Sequence, residues 1–186
     1  CDDGSFDFEG IPMFFDCPLY DCDYGDCDCG NSQAYGTEGK YDSYKIQKGK
    51  KISSQKSKIE DVDNKYSKID SKSYGNKQKV QTMVRIESSI DPDQIERIDA
   101  SIELYVDTAD TTCKVYLYNE KDGKWKDLEK IDLRVGFNRI QLLDIKGSSK
   151  YVSDSSKIKM KLLIRKKTED KIRVELDRMA VITYEN

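Results

Sequence analysis

From Tyr41 onward, apolar and polar residues alternate with a period of two in short bursts, the pattern of strands with one buried face. The clearest run is Ile98, Ala100, Ile102, Leu104 and Val106, interleaved with Asp99, Ser101, Glu103, Tyr105 and Asp107. A second run, Ile158, Met160, Leu162 and Ile164, alternates with Lys157, Lys159 and Lys161. Shorter pieces are marked by Tyr44 and Ile46, Tyr66 and Ile69, Val80 to Ile86, Val115 and Leu117, Trp125 and Leu128, and Ile140 and Leu142. The last stretch carries Ile172, Val174 and Leu176, then Met179 to Tyr184, and slips phase near Asp177 as a β-bulge would make it. Polar turns such as Lys121-Asp122-Gly123 and Gly147-Ser148-Ser149 separate the strands. The pattern predicts an all-β fold, an antiparallel β-sandwich of about nine strands over residues 41–186. The one helical signal is a turn near Asp91-Pro92-Asp93.

Residues 1–40 lack any sustained period and mix Gly, Asp, Cys and aromatics, with a linker around Gly36 to Gly39. They read as an irregular Cys/Asp-rich N-terminal arm or anchor that cannot bury a core alone. Charge sharpens the division. Residues 1–30 hold nine acids and no Lys or Arg, leaving 26 acids against all 32 bases in the remainder. The acidic head and mildly basic body attract each other, within one molecule or between neighbours. A net charge of -3 provides no global field for nucleic acid. Histidine is absent, which removes the usual general base and every Ser-His or Cys-His nucleophile pair. Ser53-Ser54-Gln55-Lys56 matches the serine–lysine acylase spacing, but in a lysine-rich, all-β context where chance supplies it. No apolar run approaches the roughly 18 residues of a membrane span.

Five of the six cysteines, Cys1, Cys17, Cys22, Cys27 and Cys29, lie in the arm, and Cys113 lies in the body. Their spacing fits neither a zinc knuckle nor an iron–sulfur run and reads as disulfides. Cys27 and Cys29 are too close to pair comfortably, so they reach different partners, with Cys113 one candidate. A chain beginning at Cys1 also looks like a bacterial lipoprotein after signal cleavage, with lipid on the thiol. The alternative is a processed fragment that starts there. Asp21, Asp23, Asp26, Asp28, Asp61 and Asp63 are candidate oxygen ligands for a structural calcium, although Asp21 to Asp26 is only a fragment of an EF-hand-like loop. No other cofactor is expected.

Four groups of residues carry a family likeness. They are Ser57-Lys58-Ile59-Glu60-Asp61-Val62-Asp63-Asn64-Lys65-Tyr66; Val115-Tyr116-Leu117-Tyr118-Asn119 with Gly123-Lys124-Trp125; Tyr151-Val152-Ser153; and Leu176-Asp177 with Val181 and Tyr184. In that order they resemble the galactose-binding-like, jelly-roll β-sandwich modules of bacterial and archaeal surface proteins. The resemblance implies a jelly-roll fold for residues 41–186, a packing role for Trp125, and a place at the cell surface. Such modules serve as sugar binders, adhesion units or spacers. Tyr105, Tyr116 and Tyr118 oppose the apolar alternation and are candidates for an exposed aromatic strip, a ligand platform or interface patch, against a reading as solvated tyrosines.

These readings combine into a non-enzymatic, extracellular cell-surface structural protein, possessing an arm that links it to copies of itself or other surface proteins in a filament, sheath or appendage. A lipid at Cys1 is the expected membrane tether. The alternative is a surface-tethered carbohydrate- or protein-binding module with polysaccharide as partner.

Overall fold

The computed structural model describes residues 5–8, 11–14, 36–53 and 66–185. The chain divides into two compact units, Cys1–Ala34 and Tyr35–Asn186. In the first, β1 (Ser5–Phe8) and β2 (Ile11–Phe14) form an antiparallel pair, with Ser5 opposite Phe14.

The second unit is built almost wholly from strands, and its two antiparallel sheets make a sandwich. They begin with β3 (Thr37–Glu38), β4 (Lys40–Lys48) and β5 (Lys50–Ser53). Next come β6 (Ser67–Asp70), β7 (Lys72–Tyr74), β8 (Lys77–Glu87) and β9 (Ile95–Val106). The remainder are β10 (Thr111–Asn119), β11 (Lys124–Leu133), β12 (Gly136–Leu142), β13 (Lys157–Lys166) and β14 (Arg173–Glu185). The first sheet has the order β11-β10-β13-β8-β4, with β7 also on β8. In the second the order is β12-β9-β14-β6-β5, with β3 also on β14. Among the described residues the helical content is two 3₁₀ turns, one at Pro92–Gln94 capped by the Asp91 side chain and one at Ser148–Tyr151. Among the described residues no helix is long and apolar enough to cross a membrane.

The body has more strands than the alternation predicts because two of them change sheets part-way. The stretch β4–β5 leaves the edge of the first sheet at Gly49 and joins the edge of the second. Gly49 sits at φ 123, and a Cβ there would lie 2.7 Å from the Ile69 side chain. Only glycine fits both conditions. The stretch β6–β7 makes the reverse crossing at Ser71. The Ser71 hydroxyl donates to Gln78 Oε1 at 2.8 Å and accepts from the Ile172 amide at 2.9 Å. One flank of the sandwich is thus tied by continuous chain.

Inward residues of the two sheets form one core, where Ile102, Leu104, Leu117, Met160, Leu162 and Ile164 are at most 1% exposed. The core is crossed at one end by polar bonds between the sheets. The Tyr41 hydroxyl of β4 donates to the Met179 carbonyl and accepts the Met179 amide of β14 at 3.1 Å. Ser88 and Thr183 hydroxyls meet at 2.9 Å. The register of β14 on β9 shifts between Leu176 and Arg178, so a bulge stands where the alternation slips.

Cys113 corrects the sequence reading. It lies on the inward face of β10, fully buried between Thr112 and Lys114, as a free thiol. Burial pushes its pKa up to about 12. Its thiol is free and its side chain packs in the core of the sandwich, so Cys113 stands here as a packing residue rather than a disulfide partner. Cys1, Cys17, Cys22, Cys27 and Cys29 lie outside the described residues, as do Asp21, Asp23, Asp26, Asp28, Asp61 and Asp63.

Candidate functional site

The outward face of the first sheet gathers a cluster of aromatic side chains that are not in the core. In β10, the residues Cys113, Val115 and Leu117 point inward at 0% exposure, which turns Lys114, Tyr116 and Tyr118 outward. The turn after β10 is closed by Asn119, whose side chain accepts the Asp122 amide at 3.0 Å and donates to Asp122 Oδ2 at 2.8 Å. Gly123 completes it at φ 63. Positions equidistant from this turn face each other, so Tyr118 lies opposite Trp125 and Tyr116 opposite Asp127. The Tyr118 and Trp125 rings meet edge to face, 5.3 Å apart at an interplanar angle of 70°.

Strand β13 supplies the cations. Lys161 lies across from Tyr116 and places its ammonium 4.4 Å from the Tyr116 ring and 4.1 Å from that of Trp125. Lys159 sits 4.5 Å from the Tyr118 ring and pairs with Glu120 at 2.9 Å. These are cation–π contacts at a partly exposed face, worth about 0.5–1 kcal/mol each. Lys114 reaches Asp127 on the neighbouring edge strand.

The face continues over β8 and β4. Met83 lies beside Lys161, and Lys45 lies beyond Met83. At the far margin, Tyr74 of β7 carries Lys48 at 5.1 Å and Lys79 at 5.4 Å from its ring. Lys161 has its pKa lowered, first by burial and then by the like charge of Lys48, against a smaller opposing pull from Asp127. Among the described residues no carboxylate pairs with Lys45, Lys48, Lys79 or Lys161. An open depression of about 590 Å³ adjoins this face and shares Glu120 with it; Ser149, Ser153 and Asp154 also line it.

Of the three tyrosines singled out in the sequence, the structure brings Tyr116 and Tyr118 together. Tyr105 does not join them. It lies on β9 in the second sheet, 39% exposed, opposite Phe137 and beside Glu175. Period two gives the face of a strand but not the sheet it belongs to, so an outward residue of β9 ends up on the opposite side of the molecule. Trp125, for which the family pattern implies a packing role, joins the outward strip and packs there against Tyr118 and Lys161. Its place was readable from the hairpin: Gly123 fixes the turn, and the turn fixes the register. Tyr74 and Lys48 carried no such local signal, because the sheet changes at Gly49 and Ser71 place them. Ser53 ends β5, and the rest of the Ser53 to Lys56 motif lies outside the described residues.

No family model and no curated protein matches the sequence. Solved structures of similar shape exist. TmCBM61, in complex with beta-1,4-galactotriose, is 7% identical, with 80% of this chain and 92% of that chain covered at a TM-score of 0.48. The xylan-binding module CBM15 is 10% identical, with 81% and 97% covered at a TM-score of 0.48. A family 29 carbohydrate binding module complexed with mannohexaose is 10% identical, with 75% and 91% covered at 0.34. At such identities and TM-scores, what these modules bind is a property of theirs.

Proposed function

We propose that the protein is a non-catalytic carbohydrate-binding module of the cell exterior, with the outward face of the first sheet as its binding surface. The carrying observation is the cluster of Tyr116, Tyr118 and Trp125 on adjacent strands, outward, with rings braced by each other and by Lys159 and Lys161. Aromatic rings held by a rigid sheet offer apolar contact to the faces of sugar rings at little entropic cost. The polar groups beside them suit hydroxyls. Asp127 and Glu120 accept, and the lysines donate. The solved carbohydrate-binding modules of similar shape bind a galactotriose, a xylan and a mannohexaose, and polysaccharide is the partner proposed here in the same sense.

Assembly into a filament or sheath through the arm, and a lipid at Cys1, have no support among the described residues. Affinity electrophoresis through gels cast with galactan, xylan, mannan and acidic polysaccharides tests the binding reading. Retention in at least one gel, lost in Trp125→Ala with the fold intact by circular dichroism, is the expected result. Free migration in every gel would remove the proposal.

A further inference from the structure

The cations of the binding face are arranged for a ligand that brings negative charge. Lys161 and Lys48 stand near enough to repel, and Lys45 and Lys79 add to the same side. Among the described residues none of the four has a carboxylate partner. Burying such a cluster beneath a neutral chain would desolvate it without compensation. On the opposite face of the sandwich most of the cations are matched among the described residues. Arg139 pairs with Glu103 at 2.8 Å, Lys68 with Glu175 at 3.0 Å and Arg173 with Asp70 at 2.9 Å. Among the described residues the imbalance is therefore stronger on the first face.

Resting on the carbohydrate-binding reading, we infer that the ligand is an anionic polysaccharide, carrying carboxylate or sulfate groups on its sugar rings. The aromatic end of the face, Tyr116 with Trp125, takes the apolar face of a ring. The lysine row beyond it takes the acid groups. Lys161 on β13 and Lys45 on β4 are two interstrand spacings apart, roughly 10 Å, so the cations meet a repeating charge rather than a single ion. One feature favours acidic sugars over nucleic acid. The carboxylates of Asp127 and Glu120 flank the rings, where they accept from the hydroxyls that sugar rings carry in number and a DNA backbone does not.

The test is affinity electrophoresis of the full chain through polygalacturonate, dextran sulfate, neutral galactan and single-stranded DNA. Retention is expected in polygalacturonate, dextran sulfate or both, with the choice between them naming the acid group. Retention should fall with added salt. The double variant Lys48→Gln with Lys161→Gln should bind about tenfold more weakly in those gels, and Trp125→Ala should lose binding as well. Retention by neutral galactan alone, lost in Trp125→Ala, would overturn the anionic ligand and leave the carbohydrate reading standing. Retention by every polyanion, DNA included, that ignores Trp125→Ala would overturn it too, as plain charge attraction. No retention anywhere would remove both readings.

Discussion

Two rows of side chains, one across the outward face of each sheet, show the same construction put to opposite ends. In the second sheet, the row runs Arg139, Glu103, Arg178 over β12, β9 and β14, and Glu38 of β3 closes it through its bond to Arg178. Charges alternate strand by strand, and the row is neutral within itself. In the first sheet the row runs Asp127, Tyr116, Lys161, Met83 and Lys45 over β11, β10, β13, β8 and β4. One acid stands at its edge, and the cations further in face rings and thioether rather than carboxylates. Cross-strand pairs are the unit of sheet stability, and the second sheet spends its outward positions on them. The first sheet leaves comparable positions open to a partner.

The sharpest way to separate the two faces is to remove rings from each. Trp125→Ala combined with Tyr116→Ala should weaken polysaccharide binding by about thirtyfold or more, the loss typical of a buried aromatic anchor. Tyr105→Ala combined with Phe137→Ala should leave it unchanged. Titration calorimetry with the retained polysaccharide reads both, and equal losses from the two pairs would erase the distinction.

Removing cations should give the opposite ranking in stability. Arg139→Ala strands the Glu103 carboxylate, whose side chain is 3% exposed, and should cost about 2–3 kcal/mol in urea unfolding. Lys161→Ala should stay within about 0.5 kcal/mol, since it removes a like-charge contact with Lys48 along with its ring contacts. A large loss from Lys161→Ala would mean that the first face is structural after all.

A smaller effect is expected between the sheets. Tyr41→Phe removes the hydroxyl that joins β4 to Met179 and should cost about 1 kcal/mol or somewhat more. An unchanged melting midpoint would place the inter-sheet tie elsewhere.

A further effect is alkaline. The Cys113 thiol is held up to about 12 and the Tyr44 hydroxyl likewise up to about 12 by burial, well above their ordinary values. Groups raised in this way stabilise the fold fully below the unfolded pKa, about 8.5 for the thiol and about 10 for the phenol. That stability drains away as pH climbs toward about 12. Stability measured from pH 8 to 11 should therefore decline, and Cys113→Ala should show a shallower slope from a lower starting value. A thiol reagent at pH 8 should label Cys113 only once the body unfolds; rapid labelling of the native body would contradict its burial.

The strands were legible in the sequence because alternation is a local signal, and Ile98 to Val106 or Ile158 to Ile164 could hardly be read otherwise. The Asp177 bulge was equally legible, as one residue out of phase. What alternation does not carry is partnership between distant strands. Tyr105 and Tyr116 look alike in a period-two reading and lie on opposite sides of the molecule, because β9 and β10 belong to different sheets. Cys113 shows the same limit: its cysteine count suggested a bridge, while its phase with Val115 and Leu117 already placed it inside. Trp125 could have been found from the Gly123 turn. Lys48 and Tyr74 could not, since chain crossings between sheets bring them together.

The short strand β3 sets how the body responds to tension. Thr37 lies opposite Thr183 and Glu38 opposite Ile182, so chain enters and leaves the body side by side at one end. Gly36 lies against Tyr184, close enough that a Cβ there would come within 2.5 Å of its ring. A pull applied at Gly36 and Glu185 therefore opens this pair like a zipper, loading one hydrogen bond at a time, beginning beside Thr183 and moving toward the Gly39 amide on the Val181 carbonyl. Pulled from those points, the body should yield in a single-molecule trace at low force, and β3 should detach before the sandwich does.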